Sequence, residues 1–229
     1  MDRSTSLPLI ETTAKTIGGL IEDLCINLQA TTIIIACCTR SRFFEQLALH
    51  ASPTSEHLDD QRHEQQSTNE AVNEHNETAR QNPSKHNPTS LLRPTLRLLA
   101  TSLHTNIVFC PDIPSFRAYV SALPFRDTPS ATVIVDMLTM HHGTSEFTIQ
   151  GLSRTFAMLA SVNHRLASGM QVVECNDVLD PTDVHRGVRL WNAEVPLLSG
   201  SVKIGEAGQG WASRTTNIRT FAERWFQFQ

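Results

Sequence analysis

Apolar positions in this chain follow two different rhythms. Between residues 13 and 28, Ile17, Leu20, Ile21, Leu24 and Leu28 recur at helical spacing, which predicts a helix with Thr12 or Thr13 as its N-cap. Residues 31–38, TTIIIACC, form instead a short unbroken apolar run rich in β-branched side chains, as in a strand buried on both faces of a parallel sheet. Helices are predicted next over 41–50 and 91–102, then a strand over 106–110. A further helix is predicted over 115–123, opening after Pro114 with Ser115 as its cap. The clearest strand is 131–136, ATVIVD; a polar loop follows, then a helix over 148–168 that Gly169 would stop, and a strand over 170–175. The last third reads differently. Segments 188–190, 195–203 and 215–228 carry alternating stretches divided by the turn-rich GEAGQG, the pattern of antiparallel strands joined by a hairpin. Repeated strand–helix units predict an α/β fold: a mostly parallel sheet with helices on both faces and an antiparallel C-terminal edge.

The tract between residues 52 and 90 breaks this rhythm. Its only aliphatic residues are Leu58, Ala71, Val72 and Ala79, too little apolar surface to offset roughly 1–2 kcal/mol of backbone entropy per ordered residue, so it is expected to be disordered. Its seven acids against three bases account for the whole net charge of −4 and leave the rest of the chain neutral. Loop-closure entropy grows slowly with length, so residues 1–229 are read as one domain interrupted by this insertion. A neutral folded part lacks the bulk basic character that points to nucleic acid. No apolar stretch approaches the roughly 20 residues of a membrane span, and MDRSTSLPLIETTAK has neither the charged start nor the apolar centre of a secretory signal. A membrane or secreted protein is not expected. The five cysteines, Cys25, Cys37, Cys38, Cys110 and Cys175, are odd in number, form no C-x-x-C pair and mostly lie in apolar runs. That argues against a disulfide framework or a zinc site and for a reducing compartment, cytoplasm or nucleus.

In open α/β sheets ligands bind at the carboxyl ends of the strands. Asp136 stands at such an end, where a nucleotide-binding domain holds magnesium or its bound water; the alternative is an aspartate that caps the turn. The phosphate-binding half has no match. G-x-x-x-x-G-K-[ST] occurs nowhere: Gly18-Gly19 lies in a helical pattern, GEAGQGW lacks a lysine, and Lys15 follows LIETTA without a glycine. ATP hydrolysis by the standard route is not expected, nor is a cofactor. His141, His142, Glu146 and Asp136 offer metal-ligand chemistry, but adjacent histidines in a polar loop read as solvated, and no metal is expected. Cys175, beside Glu174 and close to Asp177, has no histidine spaced to activate it and reads as core.

Cations are almost all arginine. Arg186, Arg189, Lys203, Arg214, Arg219 and Arg224 gather in the last third with Trp191, Trp211 and Trp225. That mixture suits single-stranded DNA, through phosphate contacts and base stacking, and equally suits a solvated sheet face whose tryptophans belong to the core or an interface. A chain closing on RWFQF presents an edge or aromatic patch to a partner unless the core takes it up.

Three stretches carry a family resemblance. LPLIETTAKTIGGLIEDLCINL with TTIIIACCTRSRFFEQLA resembles the P-loop helix, second strand and following helix of the RecA-like recombinase core, its P-loop eroded. ATVIVDMLTMHHGTSEFTIQGLSRTFAMLASVNHRLASGMQVVECND is similar to that family's magnesium-aspartate strand, loop, long helix and next strand. WNAEVPLLSGSVKIGEAGQGWASRTTNIRTFAERWFQF is similar to its closing antiparallel strands. The resemblance implies that Asp136 takes the aspartate position and Glu174–Asn176 the γ-phosphate-sensing one. It further implies a non-catalytic recombinase paralogue of the fungal Shu complex type, acting in the nucleus with another RecA-like or Shu-type subunit in homologous recombination and DNA repair. Contact with single-stranded DNA would fall on Arg186, Arg189, Lys203 and Arg214. The alternatives are a structural RecA-like subunit of the Elongator type and a divergent nucleotide-binding ATPase built on Asp136.

Overall fold

A computed structural model describes residues 7–27, 31–52, 95–123, 131–166, 169–197 and 215–229. Nearly all of the expected insertion at 52–90 lies outside the described residues, as do GEAGQG, Lys203, Arg214 and Trp211. The architecture is α/β. Six parallel strands form one sheet in the order β3-β2-β4-β5-β1-β8, where β1 is Leu9–Thr16, β2 Thr32–Ala36, β3 Thr105–Phe109, β4 Ala131–Val135, β5 Gly169–Asn176 and β8 Gln227–Phe228. Between them run α1 (Ile17–Asn27), α2 (Arg40–Ala51), α3 (Leu96–Ser102), α4 (Ile113–Ser121), α5 (Met137–His141) and α6 (Ile149–Arg165).

Strand periodicity divides the interior into two layers. Ile10, Ile35, Ile134, Met170 and Val172 face one way and pack against Phe116 and Val120 of α4 and Leu152, Phe156 and Leu159 of α6. Ile34, Ala36, Val133, Val135, Val173 and Cys175 face the other way, against Ile17 and Leu20 of α1 and Phe43 of α2. Helices on both faces of a parallel sheet are what the apolar runs required.

The first predicted helix is corrected at its start. Residues 9–16 are a strand, paired with β5, and the helix begins at Ile17. The threonines of LIETTAKT fit a pleated strand, and Thr16 rather than Thr12 or Thr13 accepts the backbone N–H of Gly19, at 3.2 Å. α4 opens two residues early because Asp112 is its cap, accepting from Ser115 N at 2.7 Å, with Pro114 in the first turn. α6 ends at Arg165, so Gly169 opens β5 instead of closing a helix. What reads as a polar loop after Asp136 is the short helix α5.

The C-terminal third departs most. Residues 187–192 form a 3₁₀ turn; β6 (Glu194–Pro196) and β7 (Thr215–Asn217) pair antiparallel but stand apart from the main sheet; α7 is Ile218–Ala222. The sheet's edge there is β8, parallel to β1, and not an antiparallel strand. Burial of aromatic rings decides this. Trp191 and Phe226 are almost wholly buried, both grouped around Phe156 with centroids 6.4 and 5.0 Å away, so the aromatics of this segment fill the α6 layer.

Candidate functional site at the carboxyl ends of the strands

The strands carrying Lys15, Asp136 and Glu174, β1, β4 and β5, are consecutive in the sheet as β4-β5-β1, so all three residues come to one end of it. Asp136 follows β4 in the left-handed region, at φ 60° and ψ 36°, which aspartate tolerates better than most residues. That turn lays its carboxylate onto β5. Its backbone N–H donates to Val173 O at 2.9 Å, and Oδ1 accepts from Cys175 N at 2.8 Å. Oδ2 makes no hydrogen bond and faces Arg186 Nη2 at 3.6 Å. Burial raises the Asp136 pKa, against the pull of the Cys175 N–H and of the Arg186 and Arg42 guanidinium groups.

Glu174, also fully buried, reaches under α5. One carboxyl oxygen accepts from Leu138 N at 2.6 Å and the other from Thr139 N and Oγ1 at 3.2 and 3.1 Å. Burial first, and the Asp136 charge second, push its pKa to about 8 despite those donors.

Arg186 closes the site from above. It is 6% exposed, with Nη1 on Asp177 Oδ2 and Nη2 toward Asp136. Asp177 is held below the usual carboxylate range by Leu179 N–H and Arg186, which outweigh its partial burial. Gln46 of α2 donates to Asp177 Oδ1 and accepts from Val178 N, at 3.3 and 3.0 Å, and so binds the start of the 177–187 strap. The strap's far end turns at Gly187, whose φ of +68° and closeness to Asn176 leave no room for a Cβ.

Where a phosphate loop would separate β1 from α1, the strand runs directly into the helix. Two extra residues of β1 bulge between Glu11 and Lys15 relative to β5, and Thr12 turns outward to Gln229 O. The Lys15 ammonium sits between Glu11 and Asp23 Oδ2, the latter at 2.8 Å; burial opposes its charge, but the two carboxylates raise its pKa overall. The first turn of α1 is occupied as well. Thr16 Oγ1 takes the Gly19 N–H and meets His50 Nδ1 at 3.1 Å, and the His50 ring lies where a Cβ on Gly18 would be, 2.1 Å from it. His50 Nε2 is 3.8 Å from Glu22 Oε2.

The other expected site residues fall as follows. Arg186 points inward, onto carboxylates, and presents nothing to a polyanion, while Arg189 is exposed. His141 is not solvated. It is fully buried, shares Thr155 Oγ1 (3.1 Å) with Arg117, and burial with the Arg117 charge lowers its pKa to about 4. His142 is half-buried against the His185 ring, with centroids 4.7 Å apart. Among the described residues no group of three or more His, Cys, Asp or Glu is placed to hold a metal. Cys175 is buried, and burial pushes its thiol pKa well up, as it does for Cys37. Sequence reasoning missed His50 and Gln46, whose partners lie 34 and 131 residues away, and Arg117, which ties Glu146, Gly151 and Thr155 together. A single sequence carries no local signal for such pairings.

Comparison of the chain with protein-family models, with curated proteins and with solved structures finds no match in any of the three. Among the described residues no helix is long and apolar enough to cross a membrane.

Proposed function

We propose that this chain is a nucleotide-independent, non-catalytic RecA-like subunit that works in a heteromeric nuclear complex assisting recombination and DNA repair. The observation that carries the reading is that each part of a phosphate site at the strand ends already has a partner within the chain. Lys15 is paired with Glu11 and Asp23, Asp136 with Arg186, and the first turn of α1 with Thr16 and His50. The adjacency of β4, β5 and β1 supports the resemblance, because that family needs its lysine, aspartate and sensor strands to end together. For DNA, the proposal keeps Arg189, Lys203 and Arg214 and drops Arg186, whose guanidinium is an internal counter-ion.

The reading is tested in two steps. Titration of the full chain with ATP and magnesium, followed by calorimetry, is expected to show no saturable binding; tight binding would overturn nucleotide independence. Affinity purification of the tagged chain from its own cells is expected to return a recombinase-related subunit in stoichiometric amount. Recovery with Elongator-type subunits instead would replace the repair reading with the structural one.

A further inference from the structure

We infer that Thr16 carries an activated hydroxyl, with His50 as its general base and Glu22 behind the base, and that it accepts an acyl group from a small, uncharged activated ester. A single esterification is a covalent modification, so the inference does not rest on the nucleotide reading and leaves the non-catalytic proposal intact.

The three residues come from three elements. Thr16 ends β1, Glu22 lies in α1, and His50 is in the last turn of α2. Thr16 Oγ1 stands 3.1 Å from His50 Nδ1, within the reach a general base needs. On the other side of the ring Nε2 is buried without a hydrogen-bond partner, and Glu22 Oε2 is 3.8 Å away. A lone pair on Nε2 would face that carboxylate, so the ring proton belongs on Nε2 and Nδ1 is left as an acceptor. The Thr16 O–H then donates to Nδ1, the arrangement in which a hydroxyl gives up its proton as it attacks.

The Gly19 N–H donates to Thr16 Oγ1 at 3.2 Å, and α1 starts at the next residue after Thr16. The oxygen therefore stands at the positive end of a helix, which favours negative charge developing on it. A helix cap accounts for the Gly19 bond alone. It does not call for the imidazole, which packs so close to Gly18 that a Cβ there would fall 2.1 Å from the ring. Thr16 and His50 are half-buried and Glu22 is buried, so the hydroxyl end is the one a donor can reach.

The donor's chemistry follows from the neighbours. Lys15 is held between Glu11 and Asp23, and Glu22 adds a further carboxylate, so anionic donors are repelled. Lys15 itself stays an ammonium between its two carboxylates and does not compete for the acyl group. A half-buried hydroxyl admits a short acyl chain on a good leaving group, an aryl ester or a thioester. In the step, Oγ1 bonds to the acyl carbon and its proton passes to His50 Nδ1. The bond from the acyl carbon to the leaving group breaks, the leaving group takes that proton, and an ester on Thr16 remains.

The experiment treats the full chain with p-nitrophenyl acetate, follows p-nitrophenolate by absorbance and locates the acetyl group by peptide mass mapping. One acetyl on Thr16 is expected, lost in Thr16→Val and retained in Thr16→Ser. His50→Gln should slow its formation about tenfold or more. Glu22→Gln should slow it severalfold while the final extent stays at one per chain, a split that a disrupted fold would not give. Wild-type urea midpoints confirm that the variants fold. The anionic p-nitrophenyl hemisuccinate should react about tenfold more slowly than the acetate. Absence of acetyl on Thr16, acetylation confined to Lys15 or the cysteines, or a rate at Thr16 unchanged in His50→Gln overturns the proposal, and equal rates for the two esters overturn the donor class.

Discussion

Glu174 gives the sharpest quantitative prediction, because its proton should be visible in the stability of the whole chain. Its folded pKa of about 8 lies above the 4.5 of an ordinary glutamic acid, so the native state holds a proton that the unfolded chain has lost throughout that interval. Stability from this group is therefore fully present below about pH 4.5 and declines as pH rises to about 8. His141 works in the opposite sense. With a folded pKa of about 4 against 6.5, it resists protonation in the core, so its contribution grows as pH rises from about 4 to 6.5 and is then constant. Below pH 6.5 the two slopes oppose each other. Between about 6.5 and 8, of these two groups only Glu174 still contributes a slope, and about 1.5 pH units at roughly 1.4 kcal/mol each set a ceiling of about 2 kcal/mol lost from it over that span. Urea unfolding of the full chain at pH 6.5, 7, 7.5 and 8 measures it. In Glu174→Gln the slope should vanish, although the variant is weaker by about 1–2 kcal/mol at pH 6.5 because an amide serves the Thr139 N–H poorly. Wild-type stability that stays flat or rises over this window, or a slope that survives in Glu174→Gln, would refute the assignment of the proton.

Other consequences can be checked alongside it. Arg186→Met strands the Asp136 carboxylate in the interior and should destabilise by about 3–5 kcal/mol, whereas the Arg186→Met/Asp136→Asn double variant should recover much of that loss in a urea-unfolding cycle. Gly18→Ala should lower stability by about 1–3 kcal/mol because its Cβ meets the His50 ring, and adding His50→Ala should relieve most of the loss. Thr155→Val removes a hydroxyl shared by Arg117 and His141, for an expected loss of about 1–3 kcal/mol by the same assay. If Arg189 touches DNA, Arg189→Glu should weaken oligonucleotide binding and flatten its salt dependence by about one charge; an unchanged slope removes Arg189 from that surface.

How much of this was legible in the sequence depends on how local the cause is. β2 and β4 were readable because a strand buried on both faces needs an unbroken β-branched run wherever it sits in the sheet, as in TIIIA and ATVIV. β1 was not, because its threonines precede a genuine helical repeat with no turn signal between them, and pairing with β5, some 160 residues away, fixes it as a strand. Three-residue strands such as β6 and β7 fall below the length at which alternation means anything. At the site, Asp136 was legible as a polar residue ending an apolar strand. Its partner was not: Arg186 looks in sequence like one more cation in an arginine-rich third, and only the strap's return over the strand ends turns it inward. The histidine pair misled for a related reason. α5 is so short that its two faces are hidden in the sequence, and it sends His141 into the core and His142 toward the strap.

The charge arrangement at the strand ends supports the proposed independence of nucleotide. A triphosphate carries several negative charges, and a site that binds it must offer cations that are free to meet them. Among the described residues Lys15 stands between Glu11 and Asp23 and Arg186 between Asp136 and Asp177, while the exposed Arg42 acts on Asp136 through its charge; Glu174, its pKa pushed up to about 8 by burial first, adds no full fifth charge at neutral pH. The local balance is already negative. An incoming phosphate would therefore have to displace an acid from Lys15 and leave Asp136 buried beside a competing anion. The chain's own ion pairs, each within one folded unit, hold the advantage of not losing translational freedom. The same crowding raises the Glu174 pKa: burial comes first, the neighbouring Asp136 charge second, and the Leu138 and Thr139 N–H groups do not offset them.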